Sequence, residues 1–340
     1  MRPDTVLSSP LTMIYTEHTF ISRMLVVRTV SLLVLLIVAL AGCGSSSESD
    51  TSDSDVGSAS LPSLTVGLMP AVDTAPFYVA QEAGYFADEG VAVDFQLFTS
   101  GQDRQSALQT GQIDGAMTDL VAVAVNVAGG FDLKATMLTE GVFPVMVHPD
   151  SVQDGDARVS IGLMEVSVTN FLADQWLGED YELEKVFINQ VPARLEALAS
   201  GQLDMGVFPE PIASIGASRG LERRVFEPVD GFSPDVIAFT GGARERKRAA
   251  IVAFQRAYNR AAADIRTRED VARDAIIANI PNVPPEIRGE IVLPTYHDAR
   301  LPDDAAVQRI IAWTEQVVDG ELGVSAADLL DRSFVGPTGN

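Results

Sequence analysis

A chain of 340 residues is longer than one small domain and suits about two, and a hydrophobic content of 46% can supply a sizeable core. The formal net charge of −23 excludes nucleic acid, whose phosphates would repel it, and an anionic membrane surface as an electrostatic partner. Basic residues are almost all arginine, with Lys134, Lys185 and Lys247 the only lysines.

At the N-terminus Arg23 and Arg28 precede an apolar run over 30–40 that ends in Leu40-Ala41-Gly42-Cys43. A basic region, a short apolar region and small residues describe a secretory signal over 1–42. The run is too short for a membrane span. Met24 offers a more usual start for such a signal than Met1. The Leu-Ala-Gly-Cys tetrapeptide resembles a bacterial lipobox, which implies cleavage before Cys43 and a lipid anchor on its sulfur. Cys43 is the single cysteine, so no intrachain disulfide forms. Residues 43–60, rich in Ser and Asp, cannot offset their ordering entropy and read as a disordered tether. Asp50, Asp53 and Asp55 within it lack the glycine turn and distal glutamate of a calcium loop.

Folded structure is expected from residue 61. Residues 64–68 read as a strand and 77–83 as a helix with Pro76 in its first turn. A strand over 91–98 follows, then a helix carrying Arg104 and Leu108, a strand over 113–117, and an Ala-Val-rich helix after Asp119. Strands over 133–138 and 142–147 come next. His148-Pro149-Asp150 breaks the pattern, and the first crossover is placed at 148–158. A second series repeats the alternation: strand 159–163, helix 169–178, strand 186–189, helix 192–200, strand 203–208, helix 211–218. A strand over 236–240 returns to the first lobe, and 245–330 is mainly helical with proline breaks. Alternating strands and helices specify doubly wound sheets. The lobes are expected as 61–150 plus 235–340 and as 151–234, hinged near 148–158 and 231–234.

The two series are related by an internal repeat. Ala107-Leu108-Gln109-Thr110-Gly111-Gln112-Ile113-Asp114 returns ninety positions later as Ala197-Leu198-Ala199-Ser200-Gly201-Gln202-Leu203-Asp204, with Arg104 and Arg194 in the same place. Each copy reads as a helix closing on a glycine with positive φ, then a buried strand. Phe77-Tyr78-Val79-Ala80, Gly84-Tyr85-Phe86 and Gly90-Val91-Ala92-Val93, with the Ala-Leu-x-x-Gly-Gln-x-Asp elements and Phe208-Pro209-Glu210-Pro211, resemble substrate-binding proteins of ABC importers. The nearest group serves nitrate, sulfonates, taurine and thiamine pyrimidine precursors. The resemblance implies a type II periplasmic-binding fold, ligand in a cleft between lobes, an ABC permease as partner and an extracytoplasmic, lipid-anchored location. A monomer without cofactor is expected.

Ligands of doubly wound sheets bind outside the carboxyl ends of the strands, near helix N-termini. Those positions are Asp73, Thr74, Ser100, Gly101, Thr118 and Asp119 in the first lobe and Glu165, Ser167 and Glu210 in the second. Phe77 offers an aromatic wall. Ser100, Thr118, Ser167 and Asp119 are equally suited to capping helices, and Asp114 and Asp204 read as turn residues. Four acids in one cleft disfavour nitrate or a sulfonate and favour a neutral or amine-bearing solute such as an aminopyrimidine. The enzyme alternative is a relative of the thiamine-pyrimidine synthases, whose cysteine-rich motif is missing. Gly216-Ala217-Ser218-Arg219-Gly220 matches a nucleophile elbow in letters but falls in a helix instead of a strand–helix turn. His148 and His297 are too isolated for a metal site or a triad.

Overall fold

The computed structural model describes residues 61–152, 157–228 and 231–335, all within the unit Ala59–Asn340. The signal, the Cys43 lipidation site and the 43–60 tether lie outside the described residues. Ten strands are found among the described residues: β1 (Ser63–Leu68), β2 (Ala92–Leu97), β3 (Gly115–Asp119), β4 (Leu133–Leu138), β5 (Val145–Val147), β6 (Arg158–Leu163), β7 (Glu182–Phe187), β8 (Met205–Val207), β9 (Glu222–Arg224) and β10 (Asp235–Thr240). They form two sheets, ordered β2-β1-β3-β10-β4 and β7-β6-β8-β5-β9. In each, the first three strands are parallel and the fourth runs antiparallel to its neighbours.

The sequence explains this placement. β3 and β8 are buried along their whole length, as small and apolar strands with helices on both faces should be. β2 and β7 are buried at none of their positions, with Asp94 in one and Glu182, Glu184 and Lys185 in the other, and take the edges. The repeat has a structural role at both copies. The helices Gly101–Gln109 and Val191–Ala199 end on Gly111 and Gly201, at φ 74° and 72°. The aspartate three residues on then accepts a backbone N–H from the neighbouring strand: Asp114 Oδ2 from Thr65 and Asp204 Oδ2 from Ser160, each at 2.8 Å. The Gly-Gln-x-Asp element thus ties each turn to the central strand beside it.

The lobe boundaries differ from the expected ones. β5 pairs with β8 and β9, so 145–147 belongs to the second sheet and the first crossing is 139–144. His148-Pro149-Asp150 is a turn inside lobe two: it is a stronger turn signal than the extended crossing that precedes it. The second crossing follows β9 and ends at the expected Ser233-Pro234, just before β10. The C-terminal region also departs from a purely first-lobe assignment. The helices Arg248–Thr267 and Asp270–Asn279 pack on Ala75–Glu82, but Asp304–Val317 packs on Leu120–Ala128 of lobe one and on Val168–Leu177 of lobe two. Trp313 Nε1 donates to Asp174 Oδ2 at 3.0 Å there. The turn Pro285–Glu290 rests on Ile212–Ser218 of lobe two.

Among the described residues no helix is long and apolar enough to cross a membrane.

Candidate functional site

The carboxyl ends of the strands in the two sheets face each other across a small chamber of about 50 Å³. Lobe one contributes Asp73, Arg104, Thr118, Asp119 and Asp235; lobe two contributes Met164, Ser167, Val168, Thr169 and Arg194. Met69, Met117, Phe143, Val191 and Pro209 make the rest of the wall largely apolar. An outer vestibule of about 310 Å³ adjoins it, with Arg104 and Met164 lining both.

The lobes touch around this chamber. Val191 N–H donates to Thr99 O at 3.4 Å and the Thr99 hydroxyl to Gln190 Oε1 at 3.3 Å. Val72 N–H donates to Glu210 O at 2.8 Å. A Cβ built on Gly101 would lie 2.6 Å from Met164 Cε, so the second lobe's methionine sits where only a glycine leaves room.

The expected residues divide into three sets. Asp73, Thr118, Asp119 and Ser167 line the chamber. Gly101 and Glu165 line the vestibule, with Glu165 exposed at the rim. Thr74, Phe77, Ser100 and Glu210 do not reach the chamber. Phe77 is fully buried, stacked on Phe254 at 5.2 Å and tilted against Tyr258, also at 5.2 Å. Its helix turns that face to the core, so the aromatic wall expected at Phe77 is a packing residue. Thr74 and Ser100 stand at helix starts: the Thr74 hydroxyl donates to Ala71 O at 2.6 Å, and Ser100 Oγ accepts Asp103 N–H at 3.4 Å. Glu210 is buried but held by Arg223 Nη1 at 2.9 Å and by Ser214 N–H at 3.1 Å. Ser167 Oγ caps its helix, accepting Thr169 N–H at 3.2 Å.

Three charged groups escaped the sequence reading. Arg104 and Arg194 each lie in the first turn or so of their helix and run across a strand at a glycine. Cβ atoms on Gly67 and Gly162 would approach Arg104 Cγ to 3.5 Å and Arg194 Cγ to 3.0 Å. Their shared place in the repeat was the available signal. Asp235 opens β10 and is paired in register with Asp119.

The electrostatics differ sharply across the chamber. Asp73 Oδ2 accepts the Thr139 hydroxyl at 2.9 Å, while its buried Oδ1 has no partner. Burial pushes its carboxyl up to about 6, helped by the charge of Glu140 and opposed by Thr139 and Arg104. Burial also raises Asp235, well above the usual carboxylate range, with the Asp73 charge beside it, and raises Asp119. Arg104 donates to Thr118 Oγ1 at 3.1 Å; burial lowers its pKa, and Asp119, Asp235 and Asp73 oppose that. Arg194 is fully buried. Its Nη1 donates to Ile188 O at 2.9 Å, Nε and Nη2 make no hydrogen bond, and the guanidinium lies over the Phe208 ring, 5.1 Å from its centroid. Burial alone lowers its pKa to about 9. Lobe one is therefore acid-rich around one arginine, and lobe two backs the chamber with a buried guanidinium packed on Phe208.

Two sheets with exchanged antiparallel strands and a chamber between their carboxyl ends define a type II periplasmic-binding-protein fold. The chain belongs to the NMT1/THI5 like family, whose model matches residues 71–272, over half of its length. Solved structures share the fold at low identity. A ligand-binding component of an ABC-type import system from Staphylococcus aureus, with zinc bound, superposes at TM-score 0.69 with 15% identity, covering 80% of this chain and 97% of that one. The periplasmic nitrate-binding protein NrtA from Synechocystis gives 0.66 and 13%, over 81% and 87%. The alkanesulfonate-binding protein SsuA from Xanthomonas axonopodis pv. citri, bound to MOPS, gives 0.62 and 15%, over 78% and 97%. A 52-residue stretch is 36% identical to the nitrate import ATP-binding protein NrtC of Synechococcus elongatus, spanning 15% of this chain and only 8% of that protein.

Proposed function

We propose that this chain is the solute-binding component of an ABC importer, capturing a small solute between its lobes and presenting it to a membrane permease without chemistry. The observation that carries the reading is the interlobe chamber, walled by Asp73, Arg104, Asp119 and Asp235 of lobe one and by Ser167, Thr169 and Arg194 of lobe two. The ligand-binding component of an ABC-type import system from Staphylococcus, and the nitrate-binding and alkanesulfonate-binding proteins of Synechocystis and Xanthomonas, support the same role. Asp73, Thr118, Asp119, Ser167, Arg104, Arg194 and Asp235 are the binding groups in this reading. Gly216–Gly220, the elbow-like pentapeptide, is helix end and turn, with the Ser218 hydroxyl donating to Ile215 O at 2.8 Å; it supports no nucleophile. An extracytoplasmic monomer anchored through Cys43 completes the picture.

Two ligand classes compete. The acids of lobe one support an amine-bearing solute, the preference drawn from sequence. Arg194 supports an anion such as a sulfonate or nitrate.

The test is small-angle scattering of the purified full-length chain with a panel of nitrate, sulfonates, amines, amino acids and pyrimidines. A binding solute compacts the molecule and raises its Tm by mass action. Turnover of any of these compounds by the purified chain is the result that sinks the reading.

A further inference from the structure

We propose that a pocket at the hinge is a second ligand site, separate from the interlobe chamber, that takes a small aromatic amine and favours the arrangement in which the lobes touch. The site stands whether or not the chamber holds a solute.

The pocket is large and is walled by both crossings. Its volume is about 360 Å³, against about 50 Å³ for the chamber. At about 10–15 Å³ per water-sized group, that is ample room for a ring with a short side chain. The first crossing supplies 140–143 and the second supplies 225–228 and 231–233. Lobe two adds Leu172 and Trp176 from the helix Val168–Leu177, which begins at the chamber with Val168 and reaches the pocket two turns on. The loop 292–297 closes the remaining side, and Tyr296 fastens it to lobe one by donating its hydroxyl to Val72 O at 2.7 Å. Val225, one of three large apolar side chains left exposed among the described residues, lies on this wall.

The lining selects the ligand class. Trp176 stacks on Phe226 with centroids 5.3 Å apart and planes 14° from parallel, and Phe143, Phe232, Pro228 and Pro294 stand around them. Such surfaces pair with a flat ring. The charged side chains on the wall are acids, Glu140 and Glu227, beside His297; among the described residues no Lys or Arg lines it. Glu140 is already held, its Oε1 accepting Arg300 Nη2 at 2.9 Å and lying 3.0 Å from His297 Nδ1. Glu227 stands exposed at the rim, where an ammonium can meet it. Ring faces and a carboxylate together favour a cationic aromatic molecule and repel an anionic one.

Phe143 joins this pocket to the chamber, because its ring lines both. It is folded back on its own crossing: a Cβ on Gly141 would lie 2.5 Å from Phe143 Cε2 and 2.7 Å from Asp235 Oδ2. The pocket's walls stand on both lobes and both crossings, so its shape belongs to the arrangement in which the lobes are in contact. An occupant fitted to that shape stabilises that arrangement, and by linkage it tightens the chamber's hold on whatever the chamber binds.

The experiment is calorimetric titration of the full-length chain at pH 7.5 with phenethylamine and benzylamine. The controls are phenylacetate, which keeps the ring and reverses the charge, and butylamine, which keeps the charge and lacks the ring. The chain's two tryptophans are Trp176 and Trp313, so fluorescence of Trp313→Phe reports on Trp176 alone. At least one ring amine is expected to bind roughly tenfold tighter than both controls and to shift the Trp176 emission. Phe226→Ala should weaken it roughly tenfold, and Glu227→Gln about two- to fivefold at low salt. In small-angle scattering the bound form should be as compact as the free chain or more so. A control that binds as tightly as the ring amines overturns the assignment, as do a Trp176 emission that does not respond, an expanded bound form, and no binding of either ring amine at millimolar concentration. Glu227→Gln alters only an exposed side chain, so that comparison stands even where Phe226→Ala does not fold. A ring amine indifferent to both variants and lost in Asp119→Asn sits in the chamber, which overturns the second site and leaves the solute-binding reading in place.

Discussion

Asp73 holds a carboxyl group where burial works against its charge. Its pKa is pushed up to about 6 by burial, and Asp235, Asp119 and Glu140 lie near while Arg104 and Thr139 only partly compensate. A carboxyl raised on folding binds its proton more tightly in the native state. Its contribution therefore favours the folded form in acid and is lost as pH climbs from about 4 to about 6. Asp73→Asn removes that loss. The variant should be more stable than the unaltered chain above pH 6, by roughly 2–3 kcal/mol or about 5 °C in Tm, with little difference at pH 4. Thermal unfolding of the two proteins at pH 4, 5.5 and 7.5 checks this; a gap that does not widen with pH is the contrary result. Asp73 and Asp119 were legible in the sequence because they sit where strands end. Arg104 and Arg194 were not, because a long side chain reaches the chamber from inside a helix and its direction is set by a glycine on a neighbouring strand. Phe77 misled because an aromatic residue near a strand end faces core or cleft according to the rotation of its helix.

The loop after β8 shows how an element is fixed by charge instead of apolar contact. Glu210 is fully buried between lobes, and Arg223 on β9 reaches it at 2.9 Å while also donating to Ser214 Oγ at 2.8 Å and Glu290 O at 3.1 Å. One guanidinium thus joins the β8 loop, the helix Ile212–Ser218 and the turn Pro285–Glu290. Arg223→Ala strands a buried carboxylate and should cost roughly 2–4 kcal/mol in chemical denaturation. Adding Glu210→Gln should recover part of that, since the neutral amide needs no counter-charge. Equal stability of the single and double variants would remove the pair from this role. Elements with strong patterns, such as β1, β6 and the repeat helices, were visible in the sequence. β9 was not, because Glu222-Arg223-Arg224 is a short polar edge strand with no apolar alternation to read.

At the scale of the molecule, closure depends on how near the lobes can come. Met164 of lobe two occupies the space over Gly101 of lobe one. Gly101→Val should hold the lobes apart, raising Kd for any cleft ligand about tenfold or more and enlarging the radius of gyration of the ligand-bound form. Unchanged affinity would mean that Met164 swings aside. The C-terminal helix Asp304–Val317 touches both lobes, so bending must either pivot near Trp313 or break its bond to Asp174. Two lobes with a groove were foreseeable from the repeated strand–helix series, and so was the crossing that ends at Ser233-Pro234; the crossing at 139–144 was not, because the apolar run after Gly141 resembles a single strand through Val147. The exchanged antiparallel strand has a consequence for synthesis. Residues 145–224 contain every strand of the second sheet and form one uninterrupted stretch, so that sheet is complete as soon as its own sequence has left the ribosome. The first sheet has an empty slot between β3 and β4 until β10 emerges more than a hundred residues after β3. The lobe that begins first in the chain is therefore the last whose sheet can close, and its facing edges stay unpaired through the making of the other.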